Sequence, residues 1–297
     1  MKDFPRIIIG LTVACIASAF IMGAAFMFTI KAKKHNEYVE FKEAMYSALG
    51  YTHENPAPST LQFHEVYRYI LNEPKKDYMG YMIPLKNGKY CFVALNFDGN
   101  FLYKKDLNIS EEEAREESAR EKALSAVLNP SVKFFYANRI IIAVNNGKRV
   151  AYLLPRGFAG FKTTIKVLLA LEPDYTIKGL EILEEEEDPG LGGEIEKNYF
   201  KNQFKGLTYK EITQLKVIKE PLPEEYRRIL EQEREFTEEQ IKKIREKYQD
   251  SHIYALTGAT ITSTCVTNGI KNIVKKFAYR IKVLDKIIKD QHINAVI

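Results

Sequence analysis

From Ile7 to Ile30 the sequence contains no charged side chain and consists mainly of Ile, Leu, Val, Ala, Phe, Met and Gly. At about 1.5 Å of rise per residue, a helix over this stretch is roughly 36 Å long, enough to cross a hydrocarbon core of about 30 Å. Such a helix is apolar on every face, so it demands lipid or a complete protein coat. A signal peptide has a shorter apolar region, followed by a small-residue cleavage site and polar sequence. Here helical patterning continues through Val39, Phe41, Met45, Tyr46 and Leu49 to a stop at Gly50. An uncleaved single-pass transmembrane helix is therefore expected over 7–30, with a flank at 1–6 and a helical extension and linker over 31–59. Lys2 and Arg6 precede the span, whereas Lys31, Lys33 and Lys34 follow it. Flanking charge leaves the side of the following domain open, because long domains translocate largely regardless of it.

A hydrophobic fraction of 45% and a charged fraction of 28% are those of a folded protein. The net charge of +5 is spread through interleaved acids and bases, with no basic stripe carrying stacked aromatics, so nucleic-acid binding is not expected. Cys15, Cys91 and Cys265 offer neither a disulfide framework nor a CxxC pair. The histidines at 35, 53, 64, 252 and 292 are scattered without ligand spacing, so no metal site is expected. Neither a G-x-G-x-x-G turn after a strand nor a Walker-type loop occurs, which argues against nucleotide chemistry by this chain.

Residues 60–148 form the first part of the expected globular domain. Thr60 opens a helical stretch to Leu71; Tyr81–Leu85, Tyr90–Asn96 and Phe101–Tyr103 alternate as hairpin strands around Asn87-Gly88 and Asp98-Gly99-Asn100. Ser110 and Glu113 have capping-box spacing, predicting a charged helix to about Leu128. Val132–Phe135, Arg139–Val144 and Arg149–Leu154 resume strands, and Gly157-Phe158-Ala159-Gly160 interrupts them. The core over 149–297 adds strands at Ile165–Leu171 and Thr176–Glu184, a glycine-dense loop to Gly193, a helix over Glu194–Phe204 and a short strand at Leu215–Ile218. A charged insert at 223–248 reads as a solvated helical hairpin, with Thr237 and Gln240 as its capping box. After a strand at His252–Leu256, a long helix carries Val266, Ile270, Val274, Phe277, Ile281, Leu284 and Ile288 on one stripe. The fold class is α+β with a mainly antiparallel sheet and flanking helices.

Chemistry concentrates where the last strand meets that helix. Thr257, Gly258, Ala259, Thr260, Ile261, Thr262, Ser263 and Thr264 place small hydroxyl residues at a helix start. Unpaired backbone N–H groups and the positive end of a helix dipole stabilise a phosphate there, and Gly258 and Ala259 permit its close approach. A plain N-cap is the other reading of the same residues.

The segment Thr257–Ser263 resembles the [ST]-G-A-T-x-[ST] signature of the FMN-binding domain family. That family includes the G subunit of Rnf-type ferredoxin:NAD oxidoreductases and the C subunit of sodium-translocating NADH:quinone reductase. Arg156-Gly157-Phe158-Ala159-Gly160 resembles its G-[FY]-x-G element, and Glu187-Asp188-Pro189-Gly190-Leu191-Gly192 its E-T-P-G-L-G loop. The resemblance implies FMN bound through a phosphoester to Thr260, attached by a flavin transferase that uses FAD. It also implies that Thr257, Gly258, Ala259, Thr262 and Ser263 surround the phosphate, with Glu187, Asp188, Gly190, Leu191 and Gly192 beside the flavin. The implied function is an electron-transfer subunit, working with membrane and soluble subunits of an ion-translocating complex in the cytoplasmic membrane. Relatives hold this domain on the extracytoplasmic side of the bilayer. Two positions depart from the family: Asp188 stands where threonine is usual, and Tyr254 stands where an aspartate usually precedes the acceptor by six residues. A quinone-reductase-type subunit, or a flavin-free membrane-anchored sensor or assembly protein of the same fold, is the alternative. Lys219 is either a surface lysine or a positive charge near the flavin.

Overall fold

The computed structural model describes residues 4–73, 76–249 and 252–297. Lys2 and the side chains of Lys31, Lys34 and His35, which entered the charge and ligand readings, lie outside the described residues. The chain divides into two compact units, residues 1–44 and 45–297. The first unit is helical. Helix α1, Phe4–Ala48, runs without a break, and Phe4–Ile30 is long and apolar enough to cross a membrane. Protein buries no side chain of that stretch; Phe20 is 78% exposed and Phe28 83%.

In the second unit, eight strands form one wholly antiparallel sheet. They are β1 (Leu61–Glu73), β2 (Lys76–Pro84), β3 (Lys89–Leu95), β4 (Phe101–Ser110), β5 (Lys133–Asn145), β6 (Lys148–Ala159), β7 (Thr164–Leu171) and β8 (Ile177–Glu184), in the order β4-β3-β2-β1-β5-β6-β7-β8. Helix α2, Glu117–Val127, closes a cluster on one face with Tyr67, Tyr69 and Leu71. Helix α7, Thr260–Asp290, covers the other face, its Val266, Ile270, Val274, Phe277, Ile281 and Leu284 buried against Val66, Ile142, Leu154 and Leu169. Full burial of each such side chain contributes about 1.5–3 kcal/mol, so this stripe is the principal clamp on the sheet. Arg149 adds a paired hydrogen bond to both carboxylate oxygens of Asp285, each 2.9 Å long.

Between β8 and α7 the chain forms a 3-10 turn at Gly192–Glu196, α3 (Asn198–Lys201), α4 (Tyr209–Gln214), β9 (Lys216–Ile218), α5 (Glu224–Glu231), α6 (Glu238–Tyr248) and β10 (His252–Tyr254). Strands β9 and β10 pair in parallel as a separate two-stranded sheet. The α+β reading with an antiparallel sheet holds.

Several local expectations fail for physical reasons. The helix from Thr60 to Leu71 is instead strand β1, paired on both sides. Val66, Tyr67, Tyr69 and Leu71 are buried in clusters on opposite faces, and a doubly buried strand loses the alternation that distinguishes it from a helix. The reciprocal Ser110–Glu113 bonds do form, but they lead into a 3-10 turn at Glu113–Arg115, and α2 begins only at Glu117. Gly157, Phe158 and Ala159 do not interrupt the strands; they extend β6 opposite Lys166, Ile165 and Thr164. Residues 194–204 divide between the 3-10 turn and the single turn α3. The charged insert is solvated only in α6, where no residue is buried. Helix α5 buries Tyr226, Ile229 and Leu230 against Tyr254.

Gly179 in β8 faces the backbone of Ala48, and a Cβ there would overlap the Ala48 carbonyl oxygen. Backbone cannot yield as a flexible side chain does. Gly179→Ala is therefore expected to cost about 1–3 kcal/mol, read as a lowered midpoint in thermal or urea unfolding.

Candidate functional site: the start of the last helix

The chain leaves β10 and turns at Gly258, whose φ of +76° lies in the left-handed region. A Cβ at Gly258 would lie 2.8 Å from Leu191 Cδ2, so backbone angle and space both select glycine. Ala259 N–H then donates to Leu256 O, and Ala259 is the N-cap of α7 without any side-chain cap. The backbone N–H groups of Thr260, Ile261 and Thr262 find no backbone acceptor, and the first helical bond runs from Ser263 N–H to Ala259 O. They are the orphan donors of a 31-residue helix, at the positive end of its dipole.

Four of the six hydroxyls between Thr257 and Thr267 have fixed partners. Ser263 Oγ donates to Ala259 O and accepts from Leu256 N–H, locking the turn. Thr264 and Thr267 bond back to the carbonyls of Thr260 and Ser263. Thr262 Oγ1 donates to Glu187 Oε2 at 2.7 Å. Thr257, exposed in the loop, and Thr260, half-buried at the first helical position, keep hydroxyls without a partner among the described residues. A plain N-cap would spend one of these on the helix; neither is so used.

Glu187 joins this turn to two distant loops. Its side chain is 4% exposed, and Oε1 accepts from the backbone N–H groups of Phe161 at 2.9 Å and Lys162 at 3.1 Å. A buried carboxylate without a cation partner is tolerable only when hydrogen bonds replace water, and here three do so beside the positive end of α7. Glycines make room around it: a Cβ at Gly160 would overlap Oε1, and one at Gly192 would lie 2.9 Å from both Glu187 Cβ and Thr262 Oγ1. Asp188 pairs with Lys162 across 2.5 Å, a half-exposed contact that offsets its charge. Burial, then Glu187, holds the Cys265 thiol above its usual range, so it stays protonated at neutral pH.

Residues 160–275 match the family model of the FMN-binding domain. Over that span the chain is similar to the FMN-binding domain. The G subunit of the proton-translocating ferredoxin:NAD(+) oxidoreductase complex of Clostridium ljungdahlii is 31% identical over 134 residues, covering 45% of this chain and 57% of that protein. Its counterpart in the Na(+)-translocating ferredoxin:NAD(+) oxidoreductase complex of Acetobacterium woodii is 29% identical over 132 residues, covering 44% and 51% respectively. The chain thus spans just over half the length of these relatives. A crystal structure of Shewanella oneidensis NqrC superposes with a TM-score of 0.45 at 16% identity, covering 80% of this chain and 91% of that one.

The matched span contains all three loops that meet at Glu187. Its donor set fits a flavin phosphate: three orphan N–H groups and an uncommitted Thr260 hydroxyl. Of the residues singled out in the sequence, Glu187, Gly192, Ala259, Thr262 and Ser263 are buried in the junction, while Thr257, Gly258, Gly190 and Leu191 form its exposed rim and Asp188 is half-buried. Ser263 serves the turn itself. Lys219 is exposed, and Tyr254 is buried under the insert. A cleft of about 320 Å³ opens beside Thr257, walled by Leu191, Tyr199 and Tyr254 and by Arg227 of the insert.

Sequence reasoning missed Phe161 and Lys162, whose backbone holds Glu187, and Ile261, whose side chain is 60% exposed beside Thr260. Their signal was faint: an exposed Phe161 directly after Gly160 and an apolar Ile261 among hydroxyls.

Removing the carboxylate would leave two backbone donors and the Thr262 hydroxyl without their acceptor. Glu187→Ala is expected to destabilise the domain by about 3 kcal/mol, with Glu187→Gln intermediate because one amide oxygen still accepts. Denaturant unfolding of the two variants beside the parent measures that order.

Proposed function

We propose that this chain is the flavin-carrying electron-transfer subunit of an ion-translocating redox complex of Rnf type, with FMN bound as a phosphoester of Thr260. The observation that carries the assignment is the uncommitted Thr260 hydroxyl at the uncapped start of α7, when its hydroxyl neighbours at 262, 263, 264 and 267 are all engaged. The two relatives above are G subunits of ferredoxin:NAD(+) oxidoreductase complexes, which favours the Rnf type over the quinone-reductase type.

Bound there, FMN would supply one- and two-electron transfer, which no side chain of this domain offers. The chain's own part is binding and position. Thr260 Oγ is the acceptor in a transfer from FAD by a separate flavin transferase: the Oγ–P bond to FMN forms as the pyrophosphate P–O bond of FAD breaks, AMP leaves, and the hydroxyl proton passes to solvent. The N–H groups of Thr260, Ile261 and Thr262 would hold phosphate charge, and the left-handed backbone at Gly258 makes the turn that leads into them. Glu187 keeps the loops at 160–162 and 187–192 against the helix, so Phe161, Leu191 and Ile261 present apolar surface around it. That surface suits a planar ring system that exchanges electrons with neighbouring subunits. Lys162 neutralises Asp188, removing the repulsion that an unpaired acid would impose on a reduced, anionic flavin.

Helix α1 fits an anchor, since its apolar side chains from Phe4 to Ile30 have no cover among the described residues. We place the FMN-binding domain on the extracytoplasmic side of the cytoplasmic membrane, with other complex subunits as partners.

Intact-mass analysis of the chain co-produced with a flavin transferase tests the attachment. The parent and Thr257→Ala are expected to carry the FMN increment and Thr260→Ala to lack it; an increment retained on Thr260→Ala refutes the assignment. In-gel fluorescence of the denatured protein from its own host separates this reading from a flavin-free sensor, which would give a dark band. For sidedness, protease added to oriented vesicles is expected to cut beyond Gly50 from the extracytoplasmic face; digestion confined to the cytoplasmic face would reverse the topology.

A further inference from the structure

A second site lies farther along α7, between that helix and the sheet. Strand alternation puts Arg68 on the same face of β1 as Val66, Asn138 on the face of β5 that carries Ile140, and Arg156 on the face of β6 that carries Leu154. A β-bulge between Arg68 and Tyr69 breaks the register there, a device that re-aims a side chain. Lys276 and Arg280 stand four residues apart on α7 and close the other wall. The result is a pocket of about 350 Å³ lined by four cations and by no acidic residue.

The charges are not neutralised by protein. Among the described residues none of the four makes an ion pair with a carboxylate, although acids elsewhere pair freely. Arg68 is more than nine-tenths buried, and its one hydrogen bond is a long contact of 3.4 Å from Nε to Asn138 Oδ1. Its two terminal nitrogens have no acceptor among the described residues. Arg156 is braced from one side by the carbonyls of Arg139 and Pro155 and by Asn138 Oδ1. Burial, then the like charges of Arg68 and Arg280, push its guanidinium down to about 10, and burial followed by Arg280 also lowers Arg68. Buried like charges of this kind repel one another and are costly unless an anion occupies the space between them. Lys276 and Arg280, at i and i+4, add a like-charge pair on the helix surface.

We propose that this pocket binds a small soluble phosphate-bearing anion. Converging guanidinium forks match a tetrahedral oxyanion in charge and geometry, and two arginines pre-braced by a shared asparagine require little reordering on binding. Phe158 and Phe277 line the pocket beside the cations, so an organic phosphate with an apolar or aromatic body fits it better than a bare ion. The site is separate from the phosphate position at Thr260. Sixteen residues of helix, about 24 Å, separate Thr260 from Lys276, and Arg68, Arg156, Lys276 and Arg280 all fall outside the matched span 160–275. Its four cations thus lie outside the matched span, while Gly269, Asn272 and Ile273 of its lining lie within it.

The test is thermal unfolding of the full chain in detergent, with inorganic phosphate or glycerol phosphate titrated against chloride at equal ionic strength, and phosphorus NMR line width as a second readout. Both phosphates are expected to raise the midpoint and to broaden their own resonance where chloride does nothing. Arg280→Gln, which removes a half-exposed charge without a structural hydrogen bond, is expected to raise the midpoint without phosphate and to weaken phosphate binding about tenfold. Thr260→Ala is expected to leave both responses unchanged, which keeps this result independent of the flavin assignment. The proposal fails if phosphate acts no more strongly than chloride, or if Arg280→Gln binds it as tightly as the parent. A midpoint gain confined to micelles containing phosphatidic acid would likewise overturn it, assigning the pocket to a lipid headgroup.

Discussion

One buried carboxylate holds the site together. Glu187 accepts from the backbone of Phe161 and Lys162 and from Thr262, so a single side chain joins segments 26 and 75 residues away in sequence. None of these contacts alone is strong. Together they replace the water that a buried anion gives up, and the first turn of α7 adds a favourable dipole. The loops from 160 and from 187 are thereby tied to the position where the Thr260 hydroxyl stands.

That junction is precise because the elements feeding it are rigid. Strands β6, β7 and β8 pair antiparallel at one end of the sheet, and the apolar stripe of α7 packs across them. Gly160 and Gly192 lack a Cβ where the carboxylate needs room. The charged insert contributes more than solvation, since α5 caps Tyr254 with Tyr226, Ile229 and Leu230 and brings Arg227 to the wall of the cleft beside Thr257. Tyr254 is thus a packing residue under a lid of this chain's own making, which accounts for an aromatic side chain six residues before Thr260.

Helix α7 presents two kinds of electropositive surface along its length. At its start, backbone donors and dipole act without a charged side chain; farther along, Lys276 and Arg280 act as side chains across from Arg68 and Arg156. The first arrangement lies within the family-matched segment, and the second draws on β1, β5 and β6 outside it. The strands ahead of the matched segment are therefore more than a platform: they supply two of the four cations.

The sequence by itself determined the elements whose signal is local. An uncharged run to Ile30 specifies a helix apolar on every face, the three- and four-residue spacing from Val266 to Leu284 specifies the buried face of α7, and Asn87-Gly88 and Asp98-Gly99-Asn100 specify hairpin turns. The order of the three motif loops was legible too, because glycine and hydroxyl residues at strand and helix ends need particular backbone angles. Tertiary structure decided the rest. Doubly buried strand β1 reads as a helix in the sequence, since burial on both faces erases the period of two. That Thr262 is spent on Glu187, that Glu187 joins the loops, and that four cations share one pocket all depend on residues far apart in the chain. Those facts arise only when the sheet and α7 bring them within hydrogen-bonding or Coulombic range.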